Sequence, residues 1–298
     1  MITDFNHKKI AILGVGVEGL STIKYLVTNG ITPVALDERM PDKALLEELQ
    51  NLGVTFVQGF KDLEAYEVLF RSPGISITRP ELQEAHKKGV KITSQTKFFL
   101  QKCPSPVIGV TGTKGKGTTA SLIYQMLKEE GKDVYLGGNI GEPPLGFLNK
   151  LTPQSQVVLE LSSFQLQDID KSPYIAVMLM IVPEHLNYHA DMGEYVNAKR
   201  NLLRFQSKDD YAVINRDYIA SNESDISTEG QVFYVTRERT TTEQGVFVRD
   251  NAIWMTMRGR SGRSLILTRF CSEAHITGKM PQQQPWPQRL LEPPKMPL

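Results

Sequence analysis

Short apolar runs and helix-like segments alternate along the first hundred residues of the chain. "KIAILGVG" has the unbroken apolar character of a buried strand, and "VEGLSTIKYLVTNG" after it has a helical period that ends at Gly30. The other elements predicted here are strands at "TPVALDER", "VTFVQG" and "YEVLFRSPGI" and a helix at "DKALLEELQNLG". Strands that alternate with helices favour a parallel sheet covered on both faces, so we predict a Rossmann-like α/β domain over residues 1–100.

A second alternating unit follows the turn-rich "QKCPSP" and is predicted over residues 101–260. Its strands are expected at "PVIGVTG", "DVYLGGNIG", "QVVLELSS", "IAVMLMIV" and "DYAVINRD", and a helix at "MGEYVNAKRNLLRFQ". "GQVFYVT" and "GVFVRDNAIWMTM" favour antiparallel strands, the latter with a turn at Asp250 and Asn251. The predicted fold class is therefore α/β, with parallel sheets in both units.

Composition excludes several classes of protein. The 298 residues carry a formal net charge of +1, so no field of one sign points to nucleic acid or an anionic membrane. The longest apolar run, "IAVMLMIV", is too short to cross a bilayer, and the N-terminus has no signal-peptide core. Cys103 and Cys271 share no metal-ligand spacing and suit a reducing compartment. We expect a cytoplasmic protein of two domains that binds neither nucleic acid nor membrane.

The stretch "GVTGTKGKGTTASLIYQML" places a glycine-rich loop between a strand and a helix. This geometry surrounds an anion with backbone N–H groups and a helix N-terminus, and Lys116 would reach the outer phosphates. A hydroxyl just beyond the lysine would bind Mg²⁺; because Gly117 intervenes, Thr118 is the first candidate and Thr119 the second. We predict a P-loop ATPase-like domain whose ATP-binding residues are Gly112, Thr113, Lys114, Gly115, Lys116, Gly117, Thr118 and Thr119.

"GVGVEG" places Gly14, Gly16 and Gly19 between a strand and a helix, and Asp37 ends the next strand. This spacing is typical of a dinucleotide-binding fold, for which NAD is the obvious ligand. The two glycine-rich loops together are therefore compatible with an NAD-dependent oxidoreductase that has an accessory NTPase domain.

The resemblance to a family favours another reading. "VTGTKGKGTT" resembles the ATP loop of the Mur ligases and of folylpolyglutamate synthase, ATP-dependent enzymes that make amide bonds through an acyl phosphate. "GVGVEGLS", "LDER" and "SPGI" are similar to the N-terminal domain of the D-glutamate-adding Mur ligases, which holds a uridine diphosphate sugar. Folylpolyglutamate synthase has no preceding "GxGxxG" unit. The resemblance implies substrate contacts at Gly14, Gly16, Val17 and Glu18 near the diphosphate and at Asp37, Glu38, Arg39 and Gly74 around the uridine.

Two further motifs belong to the second unit. "VVLELSSFQL" puts Glu160 in an otherwise apolar strand, and a buried carboxylate needs a cation, either Mg²⁺ or a lysine. "GGNIG" needs backbone freedom and indicates a loop that approaches a ligand. The resemblance implies Mg²⁺ at Glu160 and substrate contacts at Asn139, Ser162 and Gln165.

"VPEHLNYHADMGEYVNAKRN" resembles the family's "DHxD" segment, with Glu184 for the first acid and Asn187 for the second. The resemblance implies that His185 binds a second Mg²⁺ and that Lys199 is carbamylated by CO₂ and helps to hold it. Nothing is assigned to His189. The expected catalytic residues are Lys116, Glu160, His185 and Lys199, and the expected metal ligands are Thr118, Glu160, His185 and Lys199.

The implied function is ATP-dependent addition of D-glutamate to UDP-N-acetylmuramoyl-L-alanine in peptidoglycan precursor synthesis. The expected partners are these small molecules, and we expect a monomer. Two alternatives stay open: a non-catalytic protein that binds nucleotides or UDP-sugars, and another Mur ligase or folylpolyglutamate synthase-like ligase.

After about Arg258 the chain has no sustained hydrophobic period. The last third of this C-terminal segment is dense in Pro and Gln. The resemblance implies an "HNxxN" segment followed by a C-terminal ligase domain, and we expect this sequence to lack both. Back-translation from Ser272 onward, read from the third base of each codon, permits "HNWEN" and an alanine-rich helix. We expect residues 261–298 to be a disordered frameshift product, and this truncated chain to be weakly active or inactive.

Overall fold

The structure is a computed structural model that describes residues 5, 7–184, 189, 191–238, 243–250, 252–257 and 260–264, the last of these ranges by its backbone alone. Of the predicted disordered tail over 261–298, residues 261–264 are instead part of a β-strand, and residues 265–298 lie outside the described residues. Within the described ranges, no helix is both long and apolar enough to cross a lipid bilayer.

The first sheet is parallel throughout. It contains β1 (Ile10–Leu13), β2 (Val34–Asp37), β3 (Thr55–Gln58), β4 (Val68–Arg71) and β5 (Lys91–Ser94) in the order β3-β2-β1-β4-β5. The helices around it are α1 (Val17–Thr28), α2 (Lys43–Asn51), α3 (Pro80–Lys87) and α4 (Gln95–Lys102), with a 3₁₀ turn at Leu63–Ala65. Every residue of β1 and of β4 is buried, as central strands between two helix layers require. The predicted Rossmann-like parallel sheet is confirmed.

Local chemistry explains where these helices begin and end. The Asp42 side chain accepts from the backbone N of Leu45 and starts α2, and Ser94 accepts from Lys97 and starts α4. Gly30 has φ +79° after α1, which confirms the predicted helix end.

The second sheet is mostly parallel and runs in the order β14-β13-β12-β11-β10-β9-β6-β8-β7. Its strands are β6 (Val107–Thr111), β7 (Val134–Gly138), β8 (Gln156–Glu160), β9 (Ile175–Met178), β10 (Tyr211–Asn215), β11 (Gln231–Thr236), β12 (Gly245–Arg249), β13 (Ala252–Met257) and β14 (Arg260–Ser264). The associated helices are α5 (Lys116–Glu129), α6 (Pro144–Phe147), α7 (Ser163–Leu166), α8 (Met192–Arg204) and α9 (Ile219–Asn222), with 3₁₀ turns at Leu148–Lys150 and Asp225–Ser227.

One strand prediction is wrong. "GQVFYVT" was expected to be antiparallel, but β11 pairs in parallel with both β10 and β12. An alternating apolar pattern describes which face of a strand is buried and is the same for both orientations. The predicted turn after β12 is confirmed at Asp250, which has φ +50° and joins the antiparallel pair β12 and β13. Asn251 lies outside the described residues.

Helix α4 connects the two sheets. It ends at Lys102, two positions beyond the boundary expected at residue 100, and consecutive phenylalanines on it face different sheets. The ring of Phe98 packs against Phe70 of β4 at 5.6 Å between centroids, and Phe99 packs against Phe147 of α6 at 5.7 Å. These aromatic residues belong to one buried apolar cluster, so the two sheet units share part of one core.

Candidate active site

The glycine-rich loop leaves the end of β6 and enters α5 in a constrained shape. Gly112 has φ +151° and Gly115 has φ +83°, and a Cβ added at Gly112 would lie 2.7 Å from Cβ of Leu179. The backbone N of Thr113 donates to the carbonyl of Met180 at 2.6 Å, and its hydroxyl lies 3.0 Å from the hydroxyl of Tyr195. The loop is thus anchored to the segment just after β9 and to α8, with the N-terminus of α5 open to an anion.

Two lysines of this loop have different surroundings. The Lys116 ammonium donates to the carbonyl of Thr113 at 3.0 Å, so its side chain folds back over the loop. Lys114 is largely exposed and forms an ion pair with Glu184, just after β9. The lysine that the sequence predicts for the outer phosphates is therefore the one that stays inside the loop.

Glu160 ends β8 directly beside the loop. The residue is 3% exposed, and its Oε1 accepts from the side-chain amide of Asn139 at 3.3 Å. A Cβ at Gly138 would lie 2.1 Å from the carbonyl oxygen of Glu160, so only glycine lets β7 approach this closely. A Cβ at Gly117 would point at Oε2 of Glu160 from 3.5 Å, whereas Thr118 is exposed.

Lys199 approaches the loop from α8. It is 2% exposed, its ammonium donates to the carbonyl of Gly112 at 2.8 Å, and it lies 4.6 Å from the centroid of the Tyr195 ring. Burial, and next the positive charge of Lys116, lower the pKa of Lys199 to about 7. The sequence therefore brings Lys116, Glu160 and Lys199 to one edge of the second sheet.

The side chains at this edge fit a magnesium ion whose other ligands are phosphate oxygens of a bound nucleotide. Mg²⁺ is usually held by one or two carboxylates together with phosphate oxygens and water. Glu160 is one buried carboxylate, and the described residues contain no group of three or more His, Cys, Asp or Glu side chains that could hold a metal without help. His185, the predicted ligand of a second ion, lies outside the described residues, as does Asn187.

The loop of the first sheet is equally constrained. Gly14 has φ +85° and its N donates to the carbonyl of Leu36 at 2.7 Å, and a Cβ at Gly19 would lie 1.9 Å from the carbonyl oxygen of Gly14. Asp37 closes this loop, since its Oδ2 accepts from the N of Val15 at 2.9 Å. Gly16 caps α1 and Val17, the next residue, is 76% exposed.

The residues predicted around a uridine lie at or just after the carboxyl ends of β2 and β4, the strands on either side of β1. Oδ1 of Asp37 accepts from the N of Arg39 at 3.0 Å, and Glu38 forms an ion pair of 2.6 Å with Arg79. Arg39 and Gly74 are exposed. Open strand ends at one edge of a parallel sheet are where such folds bind ligands.

The two units meet in buried contacts between predicted substrate residues. Ser162 and Gln165 form a capping box at the start of α7, and the Gln165 amide donates to Oε1 of Glu18 at 2.6 Å. Beside them, the fully buried Arg71 forms an ion pair of 3.2 Å with Asp168. Sequence reasoning missed Arg71 and Asp168; the available signal was an arginine that ends the apolar run "VLFR".

Fold and site together define a P-loop nucleotide-binding unit attached to a Rossmann-like unit. The sequence model of the Mur ligase MurD-like N-terminal domain matches residues 8–94, and that of the Mur ligase middle domain matches residues 110–255. The chain belongs to the Mur ligase family.

Curated relatives and solved structures agree with this assignment. The UDP-N-acetylmuramoylalanine–D-glutamate ligase of Acetivibrio thermocellus is 38% identical over 252 residues, which are 83% of this chain and 54% of that protein. The enzyme of the same name from Clostridium botulinum strain Langeland is 40% identical over 231 residues, 76% of this chain and 50% of that protein. The crystal structure of UDP-N-acetylmuramate:L-alanyl-gamma-D-glutamyl-meso-diaminopimelate ligase from Neisseria meningitides has a TM-score of 0.56 at 18% identity and covers 86% of each chain, which supports the fold. The chain spans about half the length of the curated relatives it matches.

Proposed function

We propose that this chain carries the UDP-sugar-binding and ATP-binding parts of an ATP-dependent ligase that adds D-glutamate to UDP-N-acetylmuramoyl-L-alanine in peptidoglycan precursor synthesis. The observation that carries the proposal is the convergence of Lys116, Glu160 and Lys199 on one glycine-rich loop. The names of the relatives support the choice of substrate. A monomer in the cytoplasm is part of the same proposal.

The proposed chemistry converts a carboxylate into a group that an amine can displace. A carboxylate oxygen of the sugar-peptide attacks the γ-phosphorus of ATP, the bond to the bridging oxygen breaks, and ADP leaves. The amine of D-glutamate then attacks the acyl carbon, and the tetrahedral intermediate loses phosphate and a proton to give the amide. Lys116 and the N–H groups at the start of α5 offset the phosphate charge. Mg²⁺ at Glu160 would supply further charge neutralisation.

We also propose that Lys199 is carbamylated, which its buried position supports. CO₂ reacts with an unprotonated amine to give a carbamate and a proton, and burial beside Lys116 favours the unprotonated form of Lys199. The resulting anion would lie near the cation of Lys116 and would help to hold the second Mg²⁺. We propose that His185 is the other protein ligand of this second Mg²⁺.

In the first unit, we propose that the loop from Gly14 to Glu18 lies against the diphosphate and that the end of β2 faces the uridine. Asp37 and Glu38 present carboxylates where this fold class places an acid against a ribose. Arg39 and Gly74 are exposed beside them, and Asn139, Ser162 and Gln165 extend the proposed contacts into the second unit.

Ligand competition on the full 298-residue chain tests the proposal. We expect Mg·ATP and UDP-N-acetylmuramoyl-L-alanine to bind together, in calorimetric titrations, with one site each. NADH should not compete with the UDP-sugar. NADH that binds in place of the UDP-sugar would instead favour an oxidoreductase, and failure to bind either Mg·ATP or the UDP-sugar would contradict the proposal. D-glutamate-dependent release of ADP would exclude a purely non-catalytic role.

The position of Gly117 gives a specific prediction for metal binding. A Cβ at residue 117, directly after the loop lysine, would face Oε2 of Glu160, so a serine there would add a hydroxyl beside the proposed metal. We expect Gly117→Ser to tighten Mg²⁺-dependent ATP binding about fivefold relative to Gly117→Ala, the value of one hydrogen bond of about 1 kcal/mol. The alanine variant controls for the gain in helix propensity. Equal affinities for the two variants would mean that Thr118 already supplies the hydroxyl.

A further inference from the structure

Buried polar atoms without a hydrogen-bond partner in the described part of the chain cluster where α1 meets α7. They are Oε2 of Glu18, Nε of Arg71, Oε1 of Gln95 and Oδ2 of Asp168. Buried donors and acceptors in proteins are nearly always paired, because an unpaired one loses its bonds to water without compensation. Four such atoms in one place therefore call for a common explanation.

The neighbours of Glu18 are fixed by their other bonds. Oε1 of Gln165 accepts from the N of Ser162 at 2.9 Å, which orients the amide so that its NH₂ group donates to Glu18. The NH₂ group of Gln95 donates to the Glu18 carbonyl at 2.8 Å and to the Thr22 hydroxyl at 3.0 Å. Oε1 of Gln95 is therefore held in place as an acceptor and cannot exchange roles with the amino group.

Arg71 and Asp168 are fixed in the same way. One terminal nitrogen of Arg71 donates to the carbonyl of Ile75 at 2.7 Å and the other approaches Oδ1 of Asp168 at 3.2 Å. The hydroxyl of Ser94 donates to that same Oδ1 at 3.0 Å. One donor, Nε of Arg71, and one acceptor, Oδ2 of Asp168, are left over.

The count of these atoms balances only with one additional proton. With both acids ionised, three acceptors stand against a single donor, and one proton on Oε2 of Glu18 or on Oδ2 of Asp168 makes two donors and two acceptors. Asp168 forms an ion pair with Arg71, whereas Glu18 forms none with the described residues, so Glu18 is the acid that takes the proton. The cavity lined by Glu18, Arg71 and Gln95 is too small to hold a water molecule that could supply the missing donor.

We propose that Glu18 is protonated in the folded chain and that its neutral carboxyl is a positioning group, which holds Gln165 of the second unit against the first. The charged groups that face it are Arg71 from β4 and Asp168 from the segment after α7, and their charges oppose each other. Gln95 and Gln165, from α4 and α7, are uncharged. Burial raises the pKa of Glu18 to about 7 and Asp168 adds to this rise, while the bond from Gln165 and the charge of Arg71 lower it.

A neutral Glu18 also suits its position in the first turn of α1. On the proposed function, a diphosphate lies against the loop that ends at this turn, where a carboxylate would repel it and a carboxylic acid would not. The proton would thus remove a negative charge from the proposed phosphate site, while Oε1 of Glu18 still accepts from Gln165 of the second unit.

The pH dependence of stability tests this proposal without any ligand. Folding raises the pKa of Glu18. Its contribution to the free energy of unfolding is therefore complete below the ordinary carboxyl pKa of 4.5 and is lost as the pH rises through about 7. Between these limits, the folding constant of wild type should fall relative to that of Glu18→Gln by up to about tenfold per pH unit. Glu84→Gln, an exposed carboxylate on α3, is the matched control and should show no such slope.

Infrared difference spectra and UDP titrations complete the test. At pH 6, wild type minus Glu18→Gln should show the C=O band of a protonated carboxyl, and a carboxylate band alone would overturn the proposal, as would parallel stability curves. Above pH 7, UDP affinity of wild type should fall by up to about tenfold per unit relative to Glu18→Gln. A chain that shows the proton but binds no UDP at any pH would refute the proposed function and leave the proton in place.

Discussion

Replacement of Arg71 by methionine is expected to destabilise the full chain by about 3–5 kcal/mol in urea unfolding, the usual cost of removing one partner from a buried ion pair. The Arg71 side chain is completely buried and Asp168 is 6% exposed, so neither charge is screened by solvent. Methionine matches the arginine stem in shape but leaves Asp168 unpaired. It also removes the donors that satisfy the carbonyls of Ile75 and Phe164.

Two further variants separate the buried charge from the loss of packing. Arg79→Met removes an arginine that pairs with Glu38 and Glu81 near the surface, and we expect it to cost less than about 1 kcal/mol. Adding Asp168→Asn to Arg71→Met should restore part of the lost stability, since asparagine keeps an acceptor for Ser94 without a buried charge. A loss for Arg71→Met no larger than that for Arg79→Met would contradict the assignment of a buried pair.

Those features of the site that depend on residues close together in the sequence could be predicted from the sequence alone. The loop between β6 and α5 was predicted because a strand, glycines, a lysine and a helix follow one another directly. Glu160 was expected to be buried because its strand is apolar on both sides, and it is 3% exposed beside Asn139. Both conclusions rest on patterns within a few residues, which a single sequence contains.

Contacts between segments far apart in the chain could not be predicted in this way. Arg71 and Asp168 belong to different sheet units, and neither has a periodic pattern that names its partner. The orientation of β11 depends on which strands lie beside it, which its own alternation does not encode. The direction of a side chain at residue 117 toward Glu160 depends on how α5 leaves the loop, which the spacing of the motif does not encode. The role of Thr118 as a metal ligand stays a prediction.

The largest expected effect on binding follows from the position of Lys116. We expect Lys116→Ala to weaken Mg·ATP binding about 100-fold, or about 2.7 kcal/mol, since it removes a charge that pairs with phosphate in a sheltered site. The lysine is already inside the loop, held by the Thr113 carbonyl, so little ordering is needed before it reaches a phosphate. Calorimetric titration with ATP in excess Mg²⁺ measures the change.

Two lysines of the same segment show whether position or mere charge is responsible. Lys128 is at the far end of α5 over the ring of Tyr124, and its alanine variant should bind ATP like wild type. Lys114 shares the loop but is exposed and paired with Glu184, so we expect its removal to cost much less than that of Lys116. The three variants change net charge equally. Equal losses of ATP affinity in all three variants would mean that ATP binding depends on the overall charge of the protein. Such a result would contradict the assignment of the loop as the phosphate site. The affinity for UDP should be unchanged in Lys116→Ala, because the proposed UDP site is at the edge of the first sheet and Lys116 is at the edge of the second.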